Sequence, residues 1–412
     1  MVSSLVAVGC ISIHAMISRD QERAFARRAI KPSDIYKWPG LSFDGAGSLE
    51  TGHVFIGAPR PGTPPLKWSH VVLGRSSKAR SCTCLAISAD GELLAASFES
   101  NATLVWRRSD GLLVQLLQGK GSEDWIQSIA FSPSGRTLVS GSSDSTAVVW
   151  DVGSGRSLAR LKGHGDVVLT VAYSPDDTHI ATGSFDHSVR IWDASSGVCL
   201  HSLDLANAVL KVIFSPDGSR LAVQLGSNGA ICDVRTGTSV AILQHEIGKD
   251  MRLSWSHQSD RILTATNDGT AKIWNADTGE ELFQLNEHAD AIYSVAFSPD
   301  DTEVATASKD HTVVTCDSRT GQRHRSYQMS SGVWAVAYSP KGDYITMGDD
   351  RGYVRVCDAK SGVFLAEFGG HAARISDVQF LPNGNDLVSR SLNDGTVRLW
   401  SIRDALRIRL VS

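Results

Sequence analysis

Residues 163–193 read GHGDVVLTVAYSPDDTHIATGSFDHSVRIWD, and they hold the features on which the fold turns. Short apolar runs flank the tetrapeptide SPDD at 174–177. Pro175 presets φ for a type I turn, and an acidic residue suits the position after it. Apolar run, turn and apolar run together make a β-hairpin signal. A Trp-Asp pair at 192–193 closes the stretch.

The pattern recurs along the chain. Positions equivalent to Trp192 are Trp106, Trp150, Trp192, Cys232, Trp274, Cys316, Cys357 and Trp400, with gaps of 44, 42, 40, 42, 42, 41 and 43 residues. So narrow a spread over eight units is the mark of a repeat architecture. The hairpin turns recur in step: SADG at 88, SPSG at 132, SPDG at 215, SHQS at 256, SPDD at 298, SPKG at 339 and LPNG at 381. Of the 12 prolines, six lie in these turns and the rest precede residue 66. None interrupts an expected strand, where it would remove a ladder hydrogen bond. A further turn ends each unit with a glycine, as at Gly155, Gly197, Gly237 and Gly279, supplying positive φ.

Each unit is thus four short strands joined by three turns. One such sheet exposes both faces; stacking the sheets radially buries them, and closing the ring protects the edges. The expected architecture is all-β, a closed propeller of eight four-stranded antiparallel blades, with seven blades as the alternative if the weak first unit is left out. Two segments could supply the eighth outer strand: WSHVVLG at 68–74 and ALRIRLVS at 405–412. The first is favoured because it joins the two chain ends. Residues 1–66 form an N-terminal extension with one short amphipathic helical segment and a Pro-rich linker at 58–65, and residues 67–412 form the propeller.

These residues resemble the WD-repeat (WD40) β-propeller family over roughly residues 70–402. The resemblance implies one hydrogen-bonded polar set per blade. Here that means His164, Asp186 and Trp192 with Thr182 or Ser184; His245, Asp268 and Trp274; and His371, Asp394 and Trp400. Other units depart. The second keeps Asp144 and Trp150 but has Lys120 for His, and the sixth keeps His288 and Asp310 but has Cys316 for Trp. Ser100, Gly226 and Arg351 replace Asp in the first, fourth and seventh, which marks those blades as softer.

Composition narrows the function. The chain of 412 residues is 42% hydrophobic and 20% charged, with net charge −4. That is ordinary for a folded soluble protein. It offers no broad field to attract nucleic acid or an anionic membrane, so neither is an expected partner. Residues 1–17 lack the basic start of a signal peptide and are short for a membrane span. The seven cysteines follow no zinc or redox spacing. Cys232, Cys316 and Cys357 occupy equivalent places in different blades and read as small buried hydrophobes. The expected setting is cytoplasmic or nuclear, with reduced thiols.

No motif for metal hydrolysis, phosphate cradling, nucleophilic serine or dinucleotide binding is present. The pairs Asp176–Asp177 and Asp300–Asp301 fall in hairpin turns, where turn chemistry outweighs catalysis or calcium binding. The reading is therefore of a protein that is not an enzyme, needs no cofactor or metal, and is a monomer within a larger complex. It would act as a scaffold for partner proteins or peptides. A phosphopeptide-reading adaptor of a ubiquitin ligase is the alternative, with Lys249, Lys309, Arg351 and Arg374 as its available cations; an enzyme or a nucleic-acid binder stands behind it. The family resemblance implies docking at one mouth of the channel, on Trp125, Leu169, Phe185, Leu210, Lys249, Met251, Tyr293, Lys309, Trp334 and Arg374. Aromatic residues with a few cations are the composition of binding hot spots.

Overall fold

In blade 3, the strands Val168–Tyr173, His179–Ser184, Ser188–Asp193 and Cys199–Asp204 pair antiparallel in chain order. The computed structural model describes residues 70–72, 82–98, 102–109, 113–118, 125–226, 228–245, 250–391 and 394–409, and in them the same meander occurs eight times around a ring. The first strands of neighbouring blades lie against each other and line the central channel.

The turns read from the sequence make the hairpins. Ser174 donates to Asp176 at 2.5 Å, and Asp176 accepts the Thr178 N–H at 3.1 Å. Asp177 then adopts φ +66° where other blades place glycine, as at Gly218 with φ +74°. The strands are rich in Val, Ile and Ala because each sheet is covered on both faces. Ala181, Val189 and Ile191 of blade 3 pack on Val212, Leu221 and Val223 of blade 4. Burying each larger aliphatic side chain contributes about 1.5–3 kcal/mol. Close approach also demands small residues. A Cβ on Gly183 would stand 2.2 Å from Val209 of the next blade, and one on Gly348 would stand 2.5 Å from Ile375.

The ring closes between blades 8 and 1. His70–Val72 pairs antiparallel with Thr396–Ser401, register His70↔Trp400, and completes blade 8 as its outer strand. Leu381, Val388 and Val397 of blade 8 share one core with Leu94, Ala96 and Trp106 of blade 1. Arg390 takes the register position that glycine holds in blades 3 and 7, and donates to the carbonyls of Cys82 and Thr83 at 3.2 and 2.6 Å. The C-terminal segment offered as a strand is instead a helix, Ile402–Arg409, with Ile402, Ala405 and Leu406 against the blade 7–8 core. With the outer edge of blade 8 already paired, that segment has no ladder to join. Its apolar residues at i, i+3 and i+4 suit a helix. The N-terminal extension lies outside the described residues.

Four blades carry a polar set with histidine. In blade 3 the Trp192 indole donates to Thr182 at 2.9 Å, Thr182 lies 2.7 Å from His164 Nε2, and His164 Nδ1 lies 2.9 Å from Asp186. Asp186 also accepts the N–H groups of Gly165 and Ser188. Blade 8 repeats this with Trp400, Ser389, His371 and Asp394. In blade 5, Trp274 and His245 both meet Thr264, while Asp268 takes the hydroxyl and N–H of Thr270. Blade 6 keeps His288, Asp310 and Thr306 without the indole, and Thr306 turns to the Val314 carbonyl.

Burial holds His164 and His371 below their ordinary value of 6.5, outweighing the Asp carboxylates beside them. The folded state therefore binds fewer protons than the unfolded state as pH falls through that value, and stability is withdrawn there. The urea midpoint is expected to be level above about pH 7 and to drop steadily between about pH 6.5 and 5. A midpoint that stays level down to about pH 5 would show that these imidazoles are not held neutral by the fold.

Candidate interaction surface at the channel mouth

The loops at one end of the channel are pinned in pairs. The residue before the Asp position donates its N–H to the residue opening the inner strand: Ser143 to Trp125, Phe185 to Val167, Lys309 to Ala291 and Asp350 to Gly332, all at 2.9–3.0 Å. The residue before the Asp position and the residue opening the inner strand thus share one rim.

Inner strands enter this rim through a β-bulge. The pairing register skips one residue between Ile126 and Ser128, Val168 and Thr170, Ile292 and Ser294, and Val333 and Ala335. A bulge leaves its extra residue unpaired and re-aims its side chain. The residues so released are Gln127, Leu169, Tyr293 and Trp334. Gln127 donates to Ser143 at 2.9 Å, which ties it to its own blade.

The inner strand of blade 5 has no bulge, and this corrects the sequence reading of Met251. Met251 pairs directly with Thr266 and is fully buried, packed with Leu253, Trp255 and Ile262. The strict alternation Met251, Leu253, Trp255 carried that signal. Counting from the turn alone aligns Met251 with Tyr293. Lys249 lies outside the described residues. Trp125, Leu169 and Leu210 are half-buried, and Phe185 is 47% exposed.

Tyr293, Trp334 and Arg374 come together. The rings of Tyr293 and Trp334 stack at 3.7 Å, 6° from parallel, and the Arg374 guanidinium lies 4.1 Å from the other side of Trp334. Arg252, which the sequence reading missed, donates Nε to the Tyr293 carbonyl at 3.2 Å. Four successive blades thus contribute to one ladder. Each side of the indole has a neighbour, which fixes its position; such stacked and cation–π contacts are worth about 0.5–1.5 kcal/mol each. The Trp334 indole N–H and Arg374 Nε are buried and have no acceptor among the described residues. Lys309 reaches Asp290 at 3.4 Å in the open, a contact of little energy.

The remaining titratable groups belong to the fold. Burial raises the Cys82, Cys232 and Cys316 thiols to about 12 and Cys357 to about 11, far from nucleophilic. Asp349 is buried and caps the N–H groups of Arg351 and Tyr353, while Asp350 is exposed at the mouth. Among the described residues, no group of three His, Cys, Asp or Glu is placed to hold a metal ion, and no helix is long and apolar enough to cross a membrane.

A family model described as "WD domain, G-beta repeat" matches residues 111–151, 155–193, 238–275, 279–316, 321–358 and 362–401, more than half of the chain. The matched stretches leave out the third strand of blade 4, whose Trp and Asp positions hold Cys232 and Gly226. Among curated proteins, the chain is similar to Eukaryotic translation initiation factor 3 subunit I from Aspergillus oryzae, 30% identical over 79% of this chain and 92% of that protein. The proteins of that name from Pyricularia oryzae and Bombyx mori are each 28% identical, covering 79% and 78% of this chain and 90% and 92% of their own lengths. Among solved structures, the computationally designed Ika8 protein is 26% identical with a TM-score of 0.67, covering 78% of this chain and 96% of that one.

Proposed function

The chain belongs to the WD-repeat family, and we propose that it is a non-catalytic scaffold that holds partner proteins or peptides at the channel mouth as a subunit of a larger assembly. The observation that carries this reading is the ladder of Tyr293, Trp334 and Arg374, stacked at the rim with all three side chains only half-buried. A rigid aromatic anchor loses little entropy on binding. Phe185 on the rim adds exposed apolar surface across the mouth. The subunit name borne by the relatives, over nearly their whole length, supports a place in a multiprotein complex. On this reading the protein works in the cytoplasm, beside a translation-initiation assembly.

The test is the double substitution Trp334→Ala with Tyr293→Ala in the full chain. Thermal stability is expected to hold near the parent's, while the proteins captured by the parent weaken at least about 30-fold in affinity. If the captured proteins persist while stability collapses, the ladder is core packing and the docking surface lies elsewhere.

A further inference from the structure

The circumference of the ring carries an edge that neither the fold nor the proposed docking face uses. The outer strand of each blade ends its sheet, so one of its two rows of backbone N–H and C=O groups has no ladder partner. Proteins guard such edges with charge. Five outer strands do so here, with Arg160 in blade 2, Asp204 in blade 3, Glu281 in blade 5, Arg323 in blade 6 and Glu367 in blade 7.

Blade 4 departs from this. Its outer strand Ser239–Leu243 reads SVAIL, and no charged residue occurs from Thr236 to Gln244. One face of the strand is covered by blade 5. A Cβ on Gly279 would stand 2.2 Å from the Ala241 side chain, and Leu243 packs with Met251 and Leu253. Val240 and Ile242 are left uncovered, 43% and 47% exposed. A bulge opposite Ile231 and Cys232 takes Val240 out of the ladder and re-aims it. Ile242 pairs with Ala230 at the register position where blades 2, 3 and 5 have Arg160, Ser202 and Gln284. The outer strand of blade 1, Leu113–Gln118, is also uncharged, but none of its side chains is exposed.

We propose that the outer strand of blade 4 is the interface with a second copy of this chain, the two strands pairing antiparallel about a two-fold axis at Ala241. Charge names the occupant. A two-fold contact brings the same patch of both copies together, so an edge with charges at its centre repels its own copy. The SVAIL edge has none to repel. With Ala241 opposite Ala241 of the second copy, Val240 stands against Ile242 on either side of the axis, giving two β-branched cross-strand pairs. Leu200 of blade 3, 43% exposed, extends the apolar surface beside them. One strand pair is smaller than a permanent interface, so the dimer is a reversible one. The sequence reading expects a single copy within the assembly; the edge of blade 4 points to two. The contact is on the circumference, away from the aromatic ladder, and stands or falls independently of it.

The test is sedimentation velocity of the full chain between about 1 and 100 μM, the range of a reversible pair. The sedimentation coefficient is expected to climb with concentration from that of one copy toward that of two. Ile242→Lys should weaken association at least about tenfold while leaving the unfolding temperature unchanged, because the side chain is exposed. Leu158→Lys, at a 60% exposed leucine on the outer strand of blade 2, should leave association intact. Mixing Ile242→Lys with Val240→Glu should restore it, because the register sets the substituted position of one copy against that of the other. A parent that stays a monomer throughout, association undiminished in Ile242→Lys, equal loss in Leu158→Lys, or a mixture that associates no better than its components overturns the proposal.

Discussion

Removing residues 1–74 is expected to be the most damaging deletion in this protein. It strips blade 8 of its outer strand and lowers stability by at least about 3 kcal/mol. The estimate rests on the register His70↔Trp400, Val71↔Leu399, Val72↔Arg398, at about 1 kcal/mol for each ladder bond. The loss does not stop at those bonds. The Thr396–Ser401 strand becomes a free edge, and blade 8 is the blade that seals the ring. The joint to blade 1 then depends on Arg390 reaching Cys82 and Thr83, and on Arg108 reaching Asp386 at 3.2 Å. The control is truncation after Arg403, which removes most of the terminal helix. That helix leans on the core through half-buried Ala405 and Leu406, so its loss should cost less than half as much. Urea unfolding of the two truncations decides the ranking, and the reverse order would make the helix the clasp.

The eight blades were legible because the features that define them are local. A Pro-Asp turn sets its own hairpin, and a repeated spacing of about forty residues needs no knowledge of neighbours. The eight-bladed ring and the antiparallel meander therefore follow from the sequence, including the Cys232, Cys316 and Cys357 units. What was less legible depends on partners distant in the chain. Counting from a turn places Met251 on the rim, yet one bulge more or less shifts every residue beyond it to the other face. Residues 405–412 fit both an alternating strand and a short amphipathic helix, and only the occupied edge of blade 8 decides between them. Asp301 reads from the sequence as a turn residue, a role it performs with φ +58°. It also caps the His257 and Gln258 N–H groups of the preceding blade, at 2.8 Å each. That second role compensates for the SHQS turn, which lacks the proline its neighbours use. Likewise, Tyr293 and Trp334 could be placed at the mouth from the repeat, whereas their parallel stacking and the Arg374 cap come from three separate blades.

Asp186→Ala tests whether the polar set of blade 3 works as one unit. Burial alone would raise the Asp186 pKa, but the Gly165 N–H, the Ser188 hydroxyl and N–H, and His164 together hold its carboxyl well below the usual carboxylate range. Truncating it to a methyl group strands several donors at once. His164 Nδ1 keeps only Ser188 at 3.1 Å, and the histidine is buried. An unsatisfied buried group costs about 1–3 kcal/mol, so the expected loss is at the upper end of that range. Asp144→Ala in blade 2 is the matched comparison. Asp144 accepts the Thr146 N–H and hydroxyl but stands in a unit whose sequence has no histidine at the equivalent position. Its loss should cost about 1 kcal/mol. The double variant Asp186→Ala with His164→Phe should then be less destabilised than the two single effects added together, because removing both partners leaves no stranded imidazole. Midpoints from urea unfolding at one pH near 7.5 measure all four variants. Equal losses at Asp186 and Asp144, or strict additivity in the double variant, would mean that the carboxylate acts only as a turn cap and that the histidine relay contributes nothing to holding the blade.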